Sequence, residues 1–205
     1  MKLVLATRNL HKLREFKAIL KALFPTLDLY SLRDFPDYQP AKEVATTFEE
    51  NAMAKAVHAA ASLNALVLAD DSGLVVPALG GEPGVFSARY AGDDASDKDN
   101  RAKLVQKLSI LPDKERVGYF ECAIAIASGK GPIKMAKAIC EGSLLAEEKG
   151  GNGFGYDPLF MKYDYNKTFA ELDEAIKNRI SHRRRALDKL IPTLDSLIEE
   201  YGLLD

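Results

Sequence analysis

The sequence predicts an α/β protein whose sheet has an antiparallel portion, and three stretches carry that reading. Residues 2–6 form an apolar strand that leads through a polar turn into helically spaced apolar residues. The run from Ala65 to Ala69 has the length and composition of a buried strand. Residues 117–127 and 133–140 flank Gly129-Lys130-Gly131-Pro132 as the two arms of a hairpin. At 205 residues the chain is one large domain, or two lobes sharing a sheet, and is long enough to bury a sizeable core.

Composition narrows the function classes. With 47% hydrophobic and 28% charged residues the chain reads as an ordinary soluble globular protein. Its 28 basic and 30 acidic residues leave a net charge of -2, which gives no reason to expect a nucleic-acid polymer as partner. The apolar run Leu3 to Ala6 is too short for a secretory or membrane-spanning segment, so a cytoplasmic protein with no membrane partner is expected. Cys122 and Cys140 lie in apolar strand-like segments without metal-ligand spacing and read as buried thiols.

Along the chain, Leu13, Phe16, Ile19, Leu20 and Leu23 recur at helical spacing from Lys12 until Pro25. The turn before them, Thr7 to Lys12, joins a strand to a helix N-terminus, where backbone N–H groups and the helix dipole favour an anion. It contains no glycine and is no Walker loop, but Thr7 and Asn9 are donors and Lys12 is a point charge. The plainer alternative makes Asn9 an ordinary N-cap and Lys12 a solvated lysine. Residues 25–46 are irregular, with Pro25, Pro36 and Pro40, room for a short strand at 27–30, and the acids Asp37 and Glu43. Thr47 and Glu50 match a capping box that opens an alanine-rich helix to about Leu63, thinned by Ala52, Ala56, Ala59 and Ala60 and closed by Asn64.

The strand at 65–69 then delivers Asp70 and Asp71 to its C-terminal end, where Ser72-Gly73 predicts a turn. Ligands of open α/β sheets bind at that end, and two carboxylates there offer oxygen to Mg2+; an Asx turn is the plainer alternative. Leu74 to Val76 is a short strand, and the glycine-dense stretch 80–84 leads to Ser87, Arg89 and Tyr90, substrate contacts or a structural loop. Ser96 or Asp97 caps a helix carrying Leu104, Val105 and Leu108 that stops before Pro112.

Four glycines at 150, 151, 153 and 155 bracket Phe154 and Tyr156, freeing the loop to lay aromatic faces on a flat ligand. Stacking on a base contributes about 1–3 kcal/mol, enough to hold a purine but not to choose between purines. Asp157 reads a base edge or starts a turn at Pro158. From Ser181 a helix places Arg183, Ala186, Leu187 and Leu190 on one stripe, so Arg183 heads an apolar face and needs a partner. His182, Arg183, Arg184 and Arg185 crowd the positive end of that helix, which an anion would relieve, and Lys177 lies just upstream.

Three clusters thus suit three parts of one ligand: Thr7, Asn9 and Lys12 with Lys177, His182 and Arg183 for phosphates, Asp70 and Asp71 for Mg2+, and Phe154 to Asp157 for a base. Together they describe an enzyme acting on nucleoside triphosphates. The stretches ATRNLHK (6–12), TFEENA (47–52), ADDSGL (69–74), GGEPGVFSARYAG (80–92), GFGYDPLF (153–160) and ISHRRRAL (180–187) also resemble, in order, the inosine/xanthosine triphosphate pyrophosphatase family along essentially the whole chain. The resemblance implies a single two-lobed α/β domain over residues 1–205, with a long mixed sheet flanked by helices and a central substrate cleft. It also implies a homodimer and Mg2+-dependent hydrolysis of ITP, dITP and XTP to monophosphate and pyrophosphate, which keeps deaminated purines out of DNA and RNA.

Carried over by motif, Asp71 is the general base and a metal ligand. Thr7, Arg8, Asn9, Leu10, His11 and Lys12 bind the triphosphate, and Ser72, Phe154, Gly155, Tyr156, Asp157, Lys177, His182 and Arg183 bind substrate. Many relatives carry an acidic pair ahead of TFEEN. This chain has Ala41-Lys42-Glu43-Val44, so the second metal ligand is Glu43, Asp37 or none, with Glu43 carried forward. The rivals are a Maf-like pyrophosphatase for other modified nucleotides and a non-catalytic nucleotide-binding regulatory module.

Overall fold

The computed structural model describes residues 2–202. β1 (Leu3–Leu5) leads into α1 (Leu10–Leu23), which starts two residues before the apolar periodicity does. Asn9 is the reason: its side-chain oxygen accepts the N–H groups of His11 and Lys12 at 2.9 and 3.1 Å, capping the first turn. β2 (Leu29–Ser31) follows, then α2 (Phe48–Leu63), capped by Thr47 and closed by Asn64 in the left-handed conformation at φ 47°. α3 (Asp97–Ser109) opens with a capping box between Ser96 and Asp99.

β3 (Leu66–Val75) departs from expectation by running straight through Asp70, Asp71, Ser72 and Gly73, so the two aspartates lie inside a strand and not at its end. The glycine that reads as a turn former serves a close approach instead. A Cβ on Gly73 would lie 2.3 Å from Ser87 Oγ and 2.5 Å from the Gly84 carbonyl oxygen. Through that gap Leu74 N–H donates to Ser87 Oγ at 2.9 Å, and the same hydroxyl donates to Gly84 O at 2.6 Å.

β4 (Val117–Ser128) and β5 (Gly131–Leu144) are the two arms of the hairpin, and the short β6 (Phe160–Lys162) and β7 (Lys167–Thr168) continue the sheet. The seven strands are ordered β2-β1-β3-β4-β5-β6-β7, with β1 parallel to β2 and β3, and β6 antiparallel to β5 and β7. The C-terminal part holds α4 (Glu174–Ile180), α5 (His182–Asp188) and α6 (Ile191–Tyr201). The single stripe from Arg183 to Leu190 is therefore interrupted. Pro192 has no N–H to continue the ladder of α5, and a new helix starts around it.

The chain divides into two compact units, one of Asp71 and the residues before it, Cys122–Ala138, and Arg183 onward, the other of Ser72–Glu121 and Ile139–His182. The first unit's core sets Leu3, Leu5, Leu66, Leu68, Ile124 and Ile126 of the sheet against Phe16, Ile19 and Leu20 of α1 and Leu187, Leu194 and Ile198 near the C-terminus. In the second, Phe120 packs on Phe160 and Phe169 at 4.8 and 5.8 Å between ring centres, with Leu74, Leu104, Leu108 and Leu159 around them. Cys122 and Cys140 are buried free thiols as expected, and burial pushes the Cys122 thiol up to about 12.

Gly73→Ala should lower the urea-unfolding free energy by about 1–3 kcal/mol, because the new methyl meets the Gly84 carbonyl oxygen and a Ser87 side chain that is held by its bonds to Leu74 N–H and Gly84 O.

Candidate active site

Successive residues of a strand face opposite sides of a sheet, and this alternation separates the two adjacent aspartates. Asp70 shares the face of Leu66 and Leu68, which α1 covers. There Arg183, 1% exposed at the start of α5, places one nitrogen 3.1 Å from Asp70 Oδ2 and another on the Glu15 carboxylate. Lys12 Nζ lies 3.0 Å from the same Asp70 oxygen. Lys12 and Glu15 are one turn apart on α1, so one helix face supplies a cation to Asp70 and an anion to Arg183. Burial pushes the Asp70 carboxyl up, but Lys12, Arg183 and Lys55 overcome it and hold the group ionised far below the usual carboxylate range.

Asp71 faces the other way and meets α2. Lys55 Nζ lies 2.9 Å from Asp71 Oδ1 and 3.3 Å from Glu43 Oε1. Burial pushes Asp71 up, and the positive charges of Lys55 and Lys12 offset only part of that rise. Neighbouring carboxylates are thereby tuned in opposite directions, one locked as an anion and one brought closer to a base. Such a split is a mark of acid–base sites.

Asp71 Oδ2 is buried and has no hydrogen-bond partner among the described residues. A hard cation needs such an oxygen, and Mg2+ is commonly bound through one or two carboxylates with substrate phosphates filling the rest. Asp71 and Glu43, converging on a single cationic nitrogen, fit that donor set. Among the described residues no group of three or more His, Cys, Asp or Glu could hold a metal.

In the second unit, the stretch after Lys149 is pinned by main-chain bonds. Gly151 and Asn152 N–H both donate to Ala170 O, and Thr168 Oγ1 donates to Lys149 O. Asp157 Oδ2 accepts Phe154 N–H at 2.9 Å and pairs with Lys177 Nζ, which sits 4.8 Å from the centre of the Phe154 ring. Tyr156 departs from the expected stacking face: its side chain is buried in the core and its hydroxyl donates to Ser87 O at 2.9 Å. Burial pushes that phenol far above its ordinary value. His182 is likewise buried, stacked 4.8 Å from Phe120.

Thr7 and Asn9 use their side-chain oxygens to shape the turn, Thr7 Oγ1 accepting Asn9 N–H at 3.1 Å. Arg8 donates to Tyr38 O at 2.6 Å, while Leu10 and His11 are exposed and Ser72 is half-buried in β3. The partner that Arg183 requires is supplied by the protein's own Glu15 and Asp70. Sequence reasoning missed Glu15 and Lys55. Each is a charge on a stripe of small or apolar residues, Lys55 with Ala52, Ala56 and Ala59, and Glu15 with Ile19; the same signal singles out Arg183.

The Ham1 family matches residues 3–193. The chain is 54% identical to the dITP/XTP pyrophosphatase of Protochlamydia amoebophila over 198 residues, covering 96% of this chain and 99% of that protein. It is 52% identical to the dITP/XTP pyrophosphatase of Chlamydia abortus, covering 98% of this chain and 97% of the relative. Among solved structures it resembles the Staphylococcus aureus Ham1 protein, with a TM-score of 0.83 and 40% identity, and a HAM1 protein from Coxiella burnetii, with 0.84 and 39%; each match covers 96% of this chain and 99% of the other.

Because the folded Asp70 pKa lies below its unfolded value, the ionised group stabilises the fold above about pH 4, and that contribution is lost as pH falls below this value toward the folded pKa. Arg183→Met should cost roughly 3–5 kcal/mol at neutral pH, the penalty for leaving buried charge uncompensated, and should flatten the acid limb of stability measured by urea titration.

Proposed function

The chain belongs to the Ham1 family, and from that premise we propose that it hydrolyses dITP, XTP and ITP to the monophosphate and pyrophosphate, removing non-standard purine nucleotides before they enter DNA and RNA. The observation that carries the reading is the opposed setting of Asp70 and Asp71: Asp70 is held between Lys12 and Arg183, whereas Asp71 has one oxygen on Lys55 and the other buried with no partner among the described residues. A pure binding module gains nothing from a buried carboxylate whose proton affinity is raised beside lysines, whereas a hydrolase gains a base.

In this reading Asp71 is the general base. It takes a proton from water as that water's oxygen bonds to phosphorus; the α–β anhydride breaks and pyrophosphate leaves. Lys55 holds the Asp71 carboxylate in place through Oδ1, and Asp70 fixes Lys12 at the first turn of α1, where the ammonium can meet phosphate oxygens. Thr7 to His11 complete that anion-binding turn. Arg183 acts through Asp70, as a strut that keeps its partner charged and oriented. Asp71 and Glu43 would hold the divalent ion, here proposed to be Mg2+, which supplies charge withdrawal from phosphate oxygens when bound.

The base falls to the second unit's residues: the Phe154 ring for stacking, Lys177 and Asp157 for the base edge, and Tyr156 through the main chain, with Gly155 shaping the loop and Ser72 and His182 as further substrate contacts. A donor such as Lys177 suits the 6-oxo group of hypoxanthine and xanthine. Adenine's amino group would instead set a donor against a donor, a mismatch costing about 1–3 kcal/mol. Assembly as a homodimer rests on the family resemblance, and residence in the cytoplasm is part of the same proposal.

A panel of ITP, dITP, XTP, GTP, ATP and dTTP with Mg2+, resolved by anion exchange, should release pyrophosphate and monophosphate chiefly from the first three; orthophosphate release would refute the reaction. Asp71→Asn should abolish turnover while nucleotide binding by calorimetry persists.

A further inference from the structure

Helix α3 grips both polar groups of one residue in the loop that the proposed function assigns to the base. Asp97 Oδ2 accepts the Gly155 N–H at 2.7 Å, and Arg101 Nη1 donates to the Gly155 carbonyl at 2.9 Å. Asp97 and Arg101 are four residues apart, on one face of α3. Arg101 Nε is in turn 2.9 Å from the Glu148 carboxylate, so the guanidinium is held from two sides.

The loop needs such a grip. Gly153 and Gly155 have φ values of +75° and +58°, a region that glycine enters without penalty and leaves as readily, so covalent geometry alone does not fix the path. Other residues of the loop are tied elsewhere: Phe154 N–H to Asp157 Oδ2, Asp157 N–H to Phe154 O at 3.2 Å, and the Tyr156 hydroxyl to Ser87 O. Gly155 is tied to α3. Rotation of the peptides on either side of it would carry the neighbouring Phe154 ring away from Lys177, over which it now sits.

We propose that Asp97 and Arg101 are positioning residues for base recognition, fixing Gly155 so that Phe154 presents its ring in one orientation. The proposal rests on the reading of Phe154 to Asp157 as the base-binding loop. Neither side chain needs to touch the nucleotide; each acts through a main-chain group of Gly155.

Asp97→Ala and Arg101→Ala should each raise KM for dITP by about ten-fold with kcat within about two-fold, the size expected for losing a charge-assisted hydrogen bond that orders a binding loop. The preference for ITP over ATP should narrow in parallel. Asp97→Asn and Arg101→Lys, which keep an acceptor and a donor, should restore KM, whereas a general loss of structure would lower kcat in all four variants and overturn the proposal. The chain contains no tryptophan, so Phe154→Trp provides a lone tryptophan that can be excited selectively over the eight tyrosines. Its anisotropy should fall when Asp97→Ala or Arg101→Ala is added; unchanged anisotropy would count against the clamp.

Phe154→Ala separates this inference from the reading beneath it. If Phe154→Ala raises KM while the α3 variants do not, the clamp is refuted and the base loop stands. If Phe154→Ala leaves KM and base preference unchanged, the base-loop reading itself fails. A fall in KM on Asp97→Ala would also overturn the proposal, since Asp97 would then be competing with substrate for the Gly155 N–H.

Discussion

A carboxylate placed in the middle of a buried strand is the constraint on which the rest of the first unit depends. Asp70 sits where a Leu66 or Leu68 would be expected, on a face packed by α1, and an isolated ion there would cost several kcal/mol. The fold answers with Arg183 and Lys12 on Asp70, and with Glu15 on Arg183. These partners come from the first turns of α1 and from the start of α5, residues far apart in the chain. The charge at Asp70 therefore helps specify how both helices meet the sheet.

The same network leaves the neighbouring Asp71 in the setting that its proposed role as a base requires. Cations are concentrated on the Asp70 face, while Asp71 has Lys55 and a second carboxylate, Glu43, close by. Burial then dominates at Asp71 and raises its proton affinity. A raised carboxyl pKa works against stability at neutral pH, because the fold prefers the protonated form. Such a group is tolerated when the chemistry uses it, and the Asp70 network supplies the compensating stability next door.

The second unit solves a different problem by related means. Its base loop is rich in glycine and gains reach at the expense of definition. Definition is restored from outside, by Ala170 O accepting two main-chain N–H groups, by Lys177 on Asp157, by Ser87 O on the Tyr156 hydroxyl, and by α3 on Gly155. The Tyr156 ring is spent on that anchoring and on the core, which is why the proposed stacking contact falls to Phe154.

Much of this was legible in the residues. Apolar periodicity marks α1, Thr47 marks the start of α2, Ser96 that of α3, and Asn64 ends α2, because capping and periodicity act over three or four neighbouring residues. The apolar strand-like settings of Cys122 and Cys140, without metal-ligand spacing, read as buried thiols, and both are buried and free. An arginine on an apolar stripe announces that Arg183 needs an anion, since burial of an unpaired charge is prohibitive whatever the fold. What the sequence could not determine is which anion. Glu15 lies 168 residues away, and only the packing of α5 on α1 brings the two together. Ser72-Gly73 carries the local signature of a turn, yet β3 continues through it because Ser87 and Gly84 close on the glycine from elsewhere in the chain. Local chemistry thus decided the elements and the residue types of the site. The pairing of charges, the direction each carboxyl pKa moves and the role of each glycine were decided by tertiary structure, because burial and long-range Coulomb partners exist only once the chain has packed.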